Sequence, residues 1–325
     1  MSCSGEIAPE ASLYYSHALS KSEITIVLQA GTPEGWLDVE KSDWTGRGMA
    51  FSRSEYAENA AIRGERRLRS VSGVYILCGT DEVTDQPQIY VGESGENIAG
   101  RLDAHARPAD KGGKDFWDRA IVFTCSRKSF GKDETVYVER ELIKIAARAQ
   151  RCIVSNVNEV PKAEIASNAN IQGPTKAKEN ISGQNFLVGV LDILPFLNVG
   201  LFQIPPAPTE SQDVLKLEGP NAKAAGYQSS GGVVVTAGSL ARRDTVTSIP
   251  DGVEALRKQL TKDAVVEIDG DHLLFLSDYL FKSLSTAASV VLGRSANGRT
   301  EWKDANGRTV AEIESEAIEQ GSQEA

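Results

Sequence analysis

Cysteine and histidine are scarce in this sequence of 325 residues, which contains four cysteines and three histidines. The cysteines stand at positions 3, 78, 125 and 152, and none forms a Cys-x-x-Cys pair. A structural zinc site needs closely spaced thiols and imidazoles, so the sequence argues against one. Scattered cysteines are typical of a reducing compartment, and we therefore expect a cytoplasmic protein without a disulfide framework.

Long apolar runs are also missing. The most apolar stretch, residues 186–204, contains Asp192, Pro195 and Asn198 and lacks basic flanks. A membrane span tolerates such residues poorly, and residues 1–10 show no signal-peptide pattern. We expect no membrane partner, and we interpret this stretch as a buried helix up to Leu194 followed by a buried strand.

Basic residues are outnumbered, because 35 lysines and arginines face 45 aspartates and glutamates, giving a net charge of −10. This balance is unlike the basic footprint of a typical nucleic-acid-binding protein. The charge is unevenly placed, however: residues 311–325 hold five glutamates and no base, whereas residues 47–69 hold six arginines and three glutamates. Salt screens charge within about 8–10 Å, so a phosphate backbone responds to the local balance and DNA binding stays open.

The length predicts two or three domains, and the residue patterns predict a mixture of helices and strands. Strands are expected at residues 24–28, 71–77, 88–92 and 120–125, and helices at residues 54–68, 95–106 and 134–151. Further along, strands are expected at residues 233–236, 264–268 and 273–276, with helices at residues 253–260 and 285–292. The pair Asn306-Gly307 predicts a tight turn.

One carboxylate stands out on the predicted helix over residues 134–151. Glu139 is the only acid in a row that otherwise consists of Val136, Ile143 and Ala146. A carboxylate among apolar side chains is costly unless it is paired or bound to a metal ion. Both a structural ion pair with an arginine and a metal ligand fit this pattern.

Three other features are ambiguous when each is taken alone. Arg101 and His105 are four residues apart and therefore share a helix face, which is usually just a solvated face. Gly73-Val74-Tyr75 and Tyr90-Val91-Gly92 lie on two neighbouring predicted strands, where tyrosine commonly packs against the sheet.

Their order along the chain is specific. Gly-Val-Tyr is followed by Tyr-Val-Gly, then by Arg101 nine residues past Gly92, then by His105, Glu139 and Asn156. In this order, residues 71–157 closely resemble the GIY-YIG nuclease family, with valine replacing isoleucine in both tripeptides. One departure is the turn between the tripeptides, which is longer and more acidic and could crowd the site or bind a partner.

The resemblance implies a small α/β sandwich in which helices flank a three-stranded antiparallel sheet. It also implies a metal-dependent endonuclease that hydrolyses DNA phosphodiester bonds. Glu139 would hold one Mg²⁺ or Mn²⁺ ion, and Arg101 would neutralise the phosphate oxygens. Because we find no second carboxylate suitably placed in the sequence, we expect a one-metal site.

The remaining roles also come from the resemblance. Tyr75 would act as the general base or orient the attacking water, although its ordinary pKa of about 10 is far from neutral. Tyr90 and His105 would position water and phosphate, and the ordinary pKa of His105 makes it a competing base. Asn156 would brace the site and contact the substrate.

Phe116-Trp117 is similar to a subgroup of these nucleases, and the C-terminal part is similar to a domain of unknown function that often follows that subgroup. The second resemblance rests on Phe281 and on residues 285–288, 292–298, 301–303 and 307–308. The basic residues of this part either contact phosphates or form an ordinary solvated surface; they are Arg242, Arg243, Arg294, Arg299, Lys303 and Arg308.

The expected fold class is α+β, in five parts. Residues 1–70 form an N-terminal β module and a helical connector, and residues 71–158 form the GIY-YIG domain. Residues 159–212 form a helical extension and linker, residues 213–313 a C-terminal α+β domain, and residues 314–325 an acidic tail.

Three functions remain open from the sequence. The first is an active DNA endonuclease in bacterial defence, restriction or repair, for which a homodimer would help double-strand cutting. The second is a catalytically silent DNA-binding module that keeps the fold, because fold does not fix function. The third is an interaction or scaffold protein, which the acidic charge favours.

Overall fold

The computed structural model describes residues 22–29, 31–33, 35–161, 164–165, 180–203, 214–229 and 232–323. Within these ranges the chain forms ten α-helices and two seven-stranded sheets. The expected α+β class is therefore confirmed.

The first sheet is built from the strands β1 (Ile24–Leu28), β2 (Leu37–Lys41), β3 (Gly46–Ser52), β4 (Ser72–Thr80), β5 (Pro87–Ser94), β6 (Trp117–Cys125) and β7 (Ile153–Val154). The second is built from β8 (Leu215–Gly219), β9 (Ala222–Ser229), β10 (Gly232–Val235), β11 (Leu240–Arg242), β12 (Val266–Asp269), β13 (His272–Phe275) and β14 (Tyr279–Phe281). The helices are α1 (Arg53–Glu58), α2 (Ala60–Gly64), α3 (Arg66–Arg69), α4 (Ile98–His105), α5 (Lys132–Ala149), α6 (Ile181–Ile193), α7 (Asp251–Lys262), α8 (Leu284–Leu292), α9 (Gly298–Glu301) and α10 (Val310–Gln323).

The first sheet has the strand order β1-β2-β3-β6-β4-β5-β7, and only the β5–β7 pair is parallel. The three strands predicted for the nuclease-like region, β4, β5 and β6, are adjacent in it. The strands of the expected N-terminal β module continue this sheet, because β3 pairs with β6 from Gly46 to Ser52. Without β3, the edge of β6 that faces away from β4 would expose a row of backbone donors and acceptors. The N-terminal strands satisfy these groups.

Helices cover both faces of this sheet. On one face, Ile76, Val91 and Phe123 pack against apolar residues of α5 and α6, such as Leu142 and Val190. On the other face, Tyr75, Leu77 and Val122 pack against residues of α1 to α4. The alternation of side chains along β4 therefore sends Tyr75 and Ile76 into two different cores.

The second sheet belongs to the C-terminal domain, where α8 packs against strands β9, β10, β11 and β14. The sequence prediction did not include the β8–β9 hairpin. Strand β8 alternates leucine with charged residues over only five residues, and β9 consists largely of small residues. The Asn306-Gly307 turn is confirmed, since Gly307 has a φ of +82° and Lys303 bridges Thr309. The acidic stretch after residue 313 continues α10 rather than forming a separate tail.

The strand expected after Pro195 was wrong. Short 3-10 helices at Leu194–Leu197 and Gly200–Phe202 take its place. Pro195 lacks the backbone N–H that a strand would donate, and Asn198 turns the chain with a φ of +59°. The preceding helix α6 starts at Ile181, inside the predicted linker, and most of that linker (residues 166–179 and 204–213) lies outside the described residues.

None of the helices in the described part of the chain combines the length and the apolar character that are needed to cross a bilayer.

The first tripeptide glycine has a packing role that can be tested. A Cβ atom at Gly73 would lie 2.2 Å from the carbonyl oxygen of Phe123 in β6, so Gly73→Ala must push the strands apart. We expect it to lower the free energy of unfolding by about 1–3 kcal/mol in a denaturant titration. Gly64→Ala is the control, because no atom lies within 4 Å of its Cβ position, and equal losses from both changes would contradict this account.

Candidate active site

The tyrosines of the two tripeptides meet on one face of the first sheet. Tyr75 stands directly opposite Gly92, and Tyr90 stands opposite Leu77, in the β4–β5 register. A Cβ atom at Gly92 would lie 2.4 Å from the phenol oxygen of Tyr75, so the ring lies across the space that only glycine leaves free. The two tyrosine rings are 6.3 Å apart between centroids.

Helix α4 brings a histidine and an arginine to these tyrosines. Asn97 caps the helix by accepting a hydrogen bond from the N–H of Gly100 at 3.0 Å. At the other end, Nε2 of His105 lies 2.9 Å from the hydroxyl of Tyr75, and its ring centroid lies 4.9 Å from that of Tyr90. Arg101, one turn earlier, is exposed to solvent.

Burial sets the protonation of the Tyr75–His105 pair. Loss of solvent raises the pKa of Tyr75 well above its ordinary value, and the neighbouring Tyr90 raises it further. Loss of solvent also lowers the pKa of His105 to about 4, and the charges of Lys114 and Arg101 contribute to that shift. At neutral pH the phenol therefore keeps its proton and the imidazole is neutral, so the imidazole tautomer decides which of the two donates the hydrogen bond.

Helix α5 brings Glu139 to the same place. Burial is the main cause that raises the pKa of Glu139 to about 7, followed by the negative charges of Glu93 and Glu159. The Glu139 charge in turn raises the pKa of both Tyr75 and Tyr90, so the carboxylate and the two phenols share one electrostatic environment. The alternative of a structural ion pair is not supported, because no salt bridge to Glu139 exists among the described residues.

Two carboxylates that act on Glu139 were not singled out from the sequence, and the expectation of a one-metal site stays a prediction. Glu93 is buried on β5, where it pairs with Lys132 and accepts a hydrogen bond from the hydroxyl of Thr135 at 2.8 Å. Glu159 accepts a hydrogen bond from the amide of Asn156 at 3.0 Å. Glu93 follows Tyr-Val-Gly directly, but only the packing of α5 against β5 brings it close to Glu139.

Asn156 is buried and completes the edge of β5. Its amide nitrogen donates to the carbonyl of Val91 at 2.8 Å, and its amide oxygen accepts from the N–H of Val91 at 3.3 Å. These bonds hold the strand segment between Tyr90 and Gly92, as a further strand would. The bracing role is consistent with this geometry, whereas substrate contact by Asn156 stays a prediction.

Lys114 and Arg53 also serve this region and were not singled out from the sequence. The ammonium group of Lys114 lies 4.2 Å from the ring centroid of Tyr90. The guanidinium of Arg53 donates to the carbonyls of Ala106 and Lys114 at 3.1 and 3.0 Å, which fixes the loop after α4. Neither position carries a motif, so only the folded loop reveals their contribution.

The acidic side chains bear on metal binding. Within the described ranges, no group of three or more histidine, cysteine or acidic side chains is arranged to hold a metal ion. Glu139 is instead a single half-buried carboxylate under the repulsion of two others. That surplus of negative charge fits a divalent cation that keeps several waters and takes few protein ligands.

A groove of about 580 Å³ is lined by one acid, Glu96, and by four basic residues, and we call it the basic groove. The basic residues are Arg66, Arg127, Lys128 and Lys132, of which Lys132 pairs with Glu93. In the C-terminal domain, by contrast, acidic residues neutralise several of the candidate arginines. Three such ion pairs are Arg294–Glu301, Arg299–Glu314 and Arg308–Asp304. Positive charge is thus available around Lys132, the partner of Glu93.

The acidic turn between β4 and β5 contacts the C-terminal domain, since Asp85 pairs with Lys282. This domain is also where a comparison with known families gives a match. Residues 215–314 match a family described as a domain of unknown function, DUF4357. The expectation of such a C-terminal domain is confirmed, while the match does not extend to residues 71–158. No curated protein and no solved structure matches the chain significantly.

The shift of Glu139 predicts a titration near pH 7 in the metal-free protein. Folding raises this pKa, so protonation favours the folded state and the free energy of unfolding falls as the pH rises from about 4.5 to about 7. Glu93→Gln removes the largest repulsion and should lower the Glu139 pKa, which carboxyl-carbon NMR measures directly. The exposed Glu96→Gln is the control, and an unchanged value in Glu93→Gln would disprove the coupling.

Proposed function

We propose that the chain is a metal-dependent endonuclease of the GIY-YIG type that hydrolyses DNA phosphodiester bonds. The observation that carries the proposal is the Tyr75–His105 hydrogen bond of 2.9 Å, formed where Arg101 and Glu139 act on both tyrosines. These residues come from β4, β5, α4 and α5, so their meeting is a property of the fold. The small α/β sandwich of that family is the fold that we assign to residues 71–158, as part of the larger sheet.

The hydrogen-bonded pair provides a path for one proton. An attacking water gives its proton to the phenol oxygen of Tyr75, while the phenol passes its own proton to Nε2 of His105. The hydroxide adds to the phosphorus and the P–O3′ bond breaks, with the electron pair leaving on the 3′ oxygen. This relay avoids a free phenolate, which the raised pKa of Tyr75 makes costly. It assigns His105 as the final acceptor, and the pKa of about 4 makes the protonated imidazole a short-lived species.

Arg101 and a metal ion held by Glu139 would stabilise the negative charge of the phosphate during cleavage. The exposed guanidinium of Arg101 presents a planar pair of donors that suits the non-bridging oxygens of the phosphate. Glu139 would hold one Mg²⁺ or Mn²⁺ ion, which when bound supplies positive charge for the scissile phosphate and the departing oxygen. Glu93 is held by Lys132 and Thr135, so we assign it to tuning Glu139 rather than to a second ion.

DNA is the substrate that the local charge favours. The basic groove contains Lys132, which links it through Glu93 to the surroundings of Glu139. A phosphate backbone in this groove would meet cations despite the acidic whole chain, because the field is local. One site cuts one strand, so double-strand cleavage would call for a homodimer or two successive events.

Plasmid nicking tests the proposed activity. With Mg²⁺ or Mn²⁺ the protein should nick supercoiled DNA, and Glu139→Gln or Arg101→Ala should reduce the rate by at least about a hundredfold. Asp133→Asn on the same helix and Arg140→Ala are matched controls that should keep the rate. DNA binding without nicking in the wild type would instead favour a silent DNA-binding module, and no DNA affinity at low salt would favour a scaffold.

The salt dependence of DNA affinity tests the basic groove. Arg127→Ala and Lys128→Ala should each weaken DNA binding and reduce the slope of log K against log salt by about 1, while the nicking rate at saturating DNA stays unchanged. Lys258→Ala in the C-terminal domain is the control and should leave the slope unchanged. A slope that responds to Lys258 but not to Arg127 or Lys128 would place the DNA elsewhere.

A further inference from the structure

A second cavity, of about 530 Å³, lies where the first sheet meets the C-terminal domain. Gln86 and Pro87 line it at the start of β5, and Arg151 lines it just beyond the end of α5. The opposite wall is formed by Leu280 and Lys282 of the C-terminal domain. This cavity is separate from the tyrosines, and the nuclease proposal makes no use of it.

Arg151 is the unusual residue of this cavity. It is only 8% exposed, yet among the residues that the structure describes its guanidinium has no carboxylate partner. Its Nε has no acceptor, and its Nη1 makes one long contact of 3.4 Å with the carbonyl of Gly200. A buried cation left in this state is costly, so an anion in contact with it would stabilise the folded protein.

Gln86 is a second residue of this cavity that is buried and has an unsatisfied hydrogen-bond donor. Its side chain is 2% exposed, and its Nε2 finds no acceptor in the described part of the chain. Both unsatisfied groups, on Gln86 and on Arg151, are donors, so the missing partner must be an acceptor. Lys282 adds a cation whose described partner is the exposed Asp85.

The rest of the lining includes apolar Pro87, Pro195 and Leu280 and polar Asn198 and Gln203. We propose that this cavity binds a small molecule that carries an anionic head, a phosphate or a carboxylate, on an apolar body. The head meets Arg151, Gln86 and Lys282, and the body packs against the prolines and Leu280. The volume is sufficient for a molecule larger than a free ion.

Calorimetry on the full chain tests this proposal with phenyl phosphate and benzoate, which carry the same ring on two different heads. Each is compared with sodium chloride at matched ionic strength. At least one of the two compounds should bind with a stoichiometry of one. The compound that binds more tightly shows whether the cavity prefers a phosphate or a carboxylate head. Arg151→Met should reduce that affinity by about tenfold or more, since it removes charge-assisted hydrogen bonds.

Three further variants keep the result interpretable. Arg148→Met, on α5 itself, should bind as the wild type does, and Glu139→Gln should also bind normally because the site does not depend on the nuclease residues. Gln86→Leu should weaken binding independently of Arg151. Without ligand, Arg151→Met should unfold at the same or a higher temperature, because it removes an unpaired buried cation. The proposal is overturned if neither compound binds the wild type, or if Arg151→Met and Gln86→Leu bind as tightly as the wild type does.

Discussion

The close approach of the Tyr75 phenol to the backbone of Gly92 is the contact on which the candidate site depends. The two residues are opposite each other in the β4–β5 register, and the ring occupies the position of the Cβ that glycine lacks. This places the hydroxyl at His105 and orders the other partners around it. Tyr90 lies on the same face, and Asn156 holds the intervening Val91 from the outer edge of the strand. A side chain at position 92 would displace the Tyr75 phenol. The second tripeptide therefore contributes both Tyr90 and, at Gly92, the space that the Tyr75 ring needs.

Charge in this protein has to be considered region by region. The net charge of −10 includes glutamates of α10 and its surroundings that pair with arginines of the C-terminal domain, such as Glu314 with Arg299. Those pairs leave the C-terminal domain with less free positive charge than its sequence suggests. In the basic groove the balance is different, because Lys132 is paired with Glu93 while Arg66, Arg127 and Lys128 form no salt bridge among the described residues. Acidity of the chain as a whole therefore says little about the field that a phosphate would meet at the groove.

The sequence predicts best where local pattern and tertiary structure agree. Strands β4 and β5 and helix α5 lie within a few residues of their predicted positions, because their apolar periodicities match the cores that they face. Prediction failed where pairing decides the outcome. Strand β3 joins β6 across a long stretch of sequence, and the short β8 pairs with β9, which consists largely of small residues. In the site, motif order selected the residues that meet, from Tyr75 to Glu139. It missed Glu93 and Glu159, since their effect on Glu139 arises only from the packing of α5 against β5 and against the short 3-10 helix Val157–Glu159.

The same two elements also connect the candidate site to the cavity at the C-terminal domain. Strand β5 starts at Pro87, directly after Gln86 at the cavity, and contains Tyr90 of the site. Helix α5 contains Glu139 and ends at Ala149, shortly before Arg151 at the cavity. The two elements pack against each other in one apolar core, so the same contacts position the residues at both of their ends. The tyrosine and the carboxylate that the proposed reaction needs therefore lie on the two elements that lead to the unsatisfied donors at the cavity.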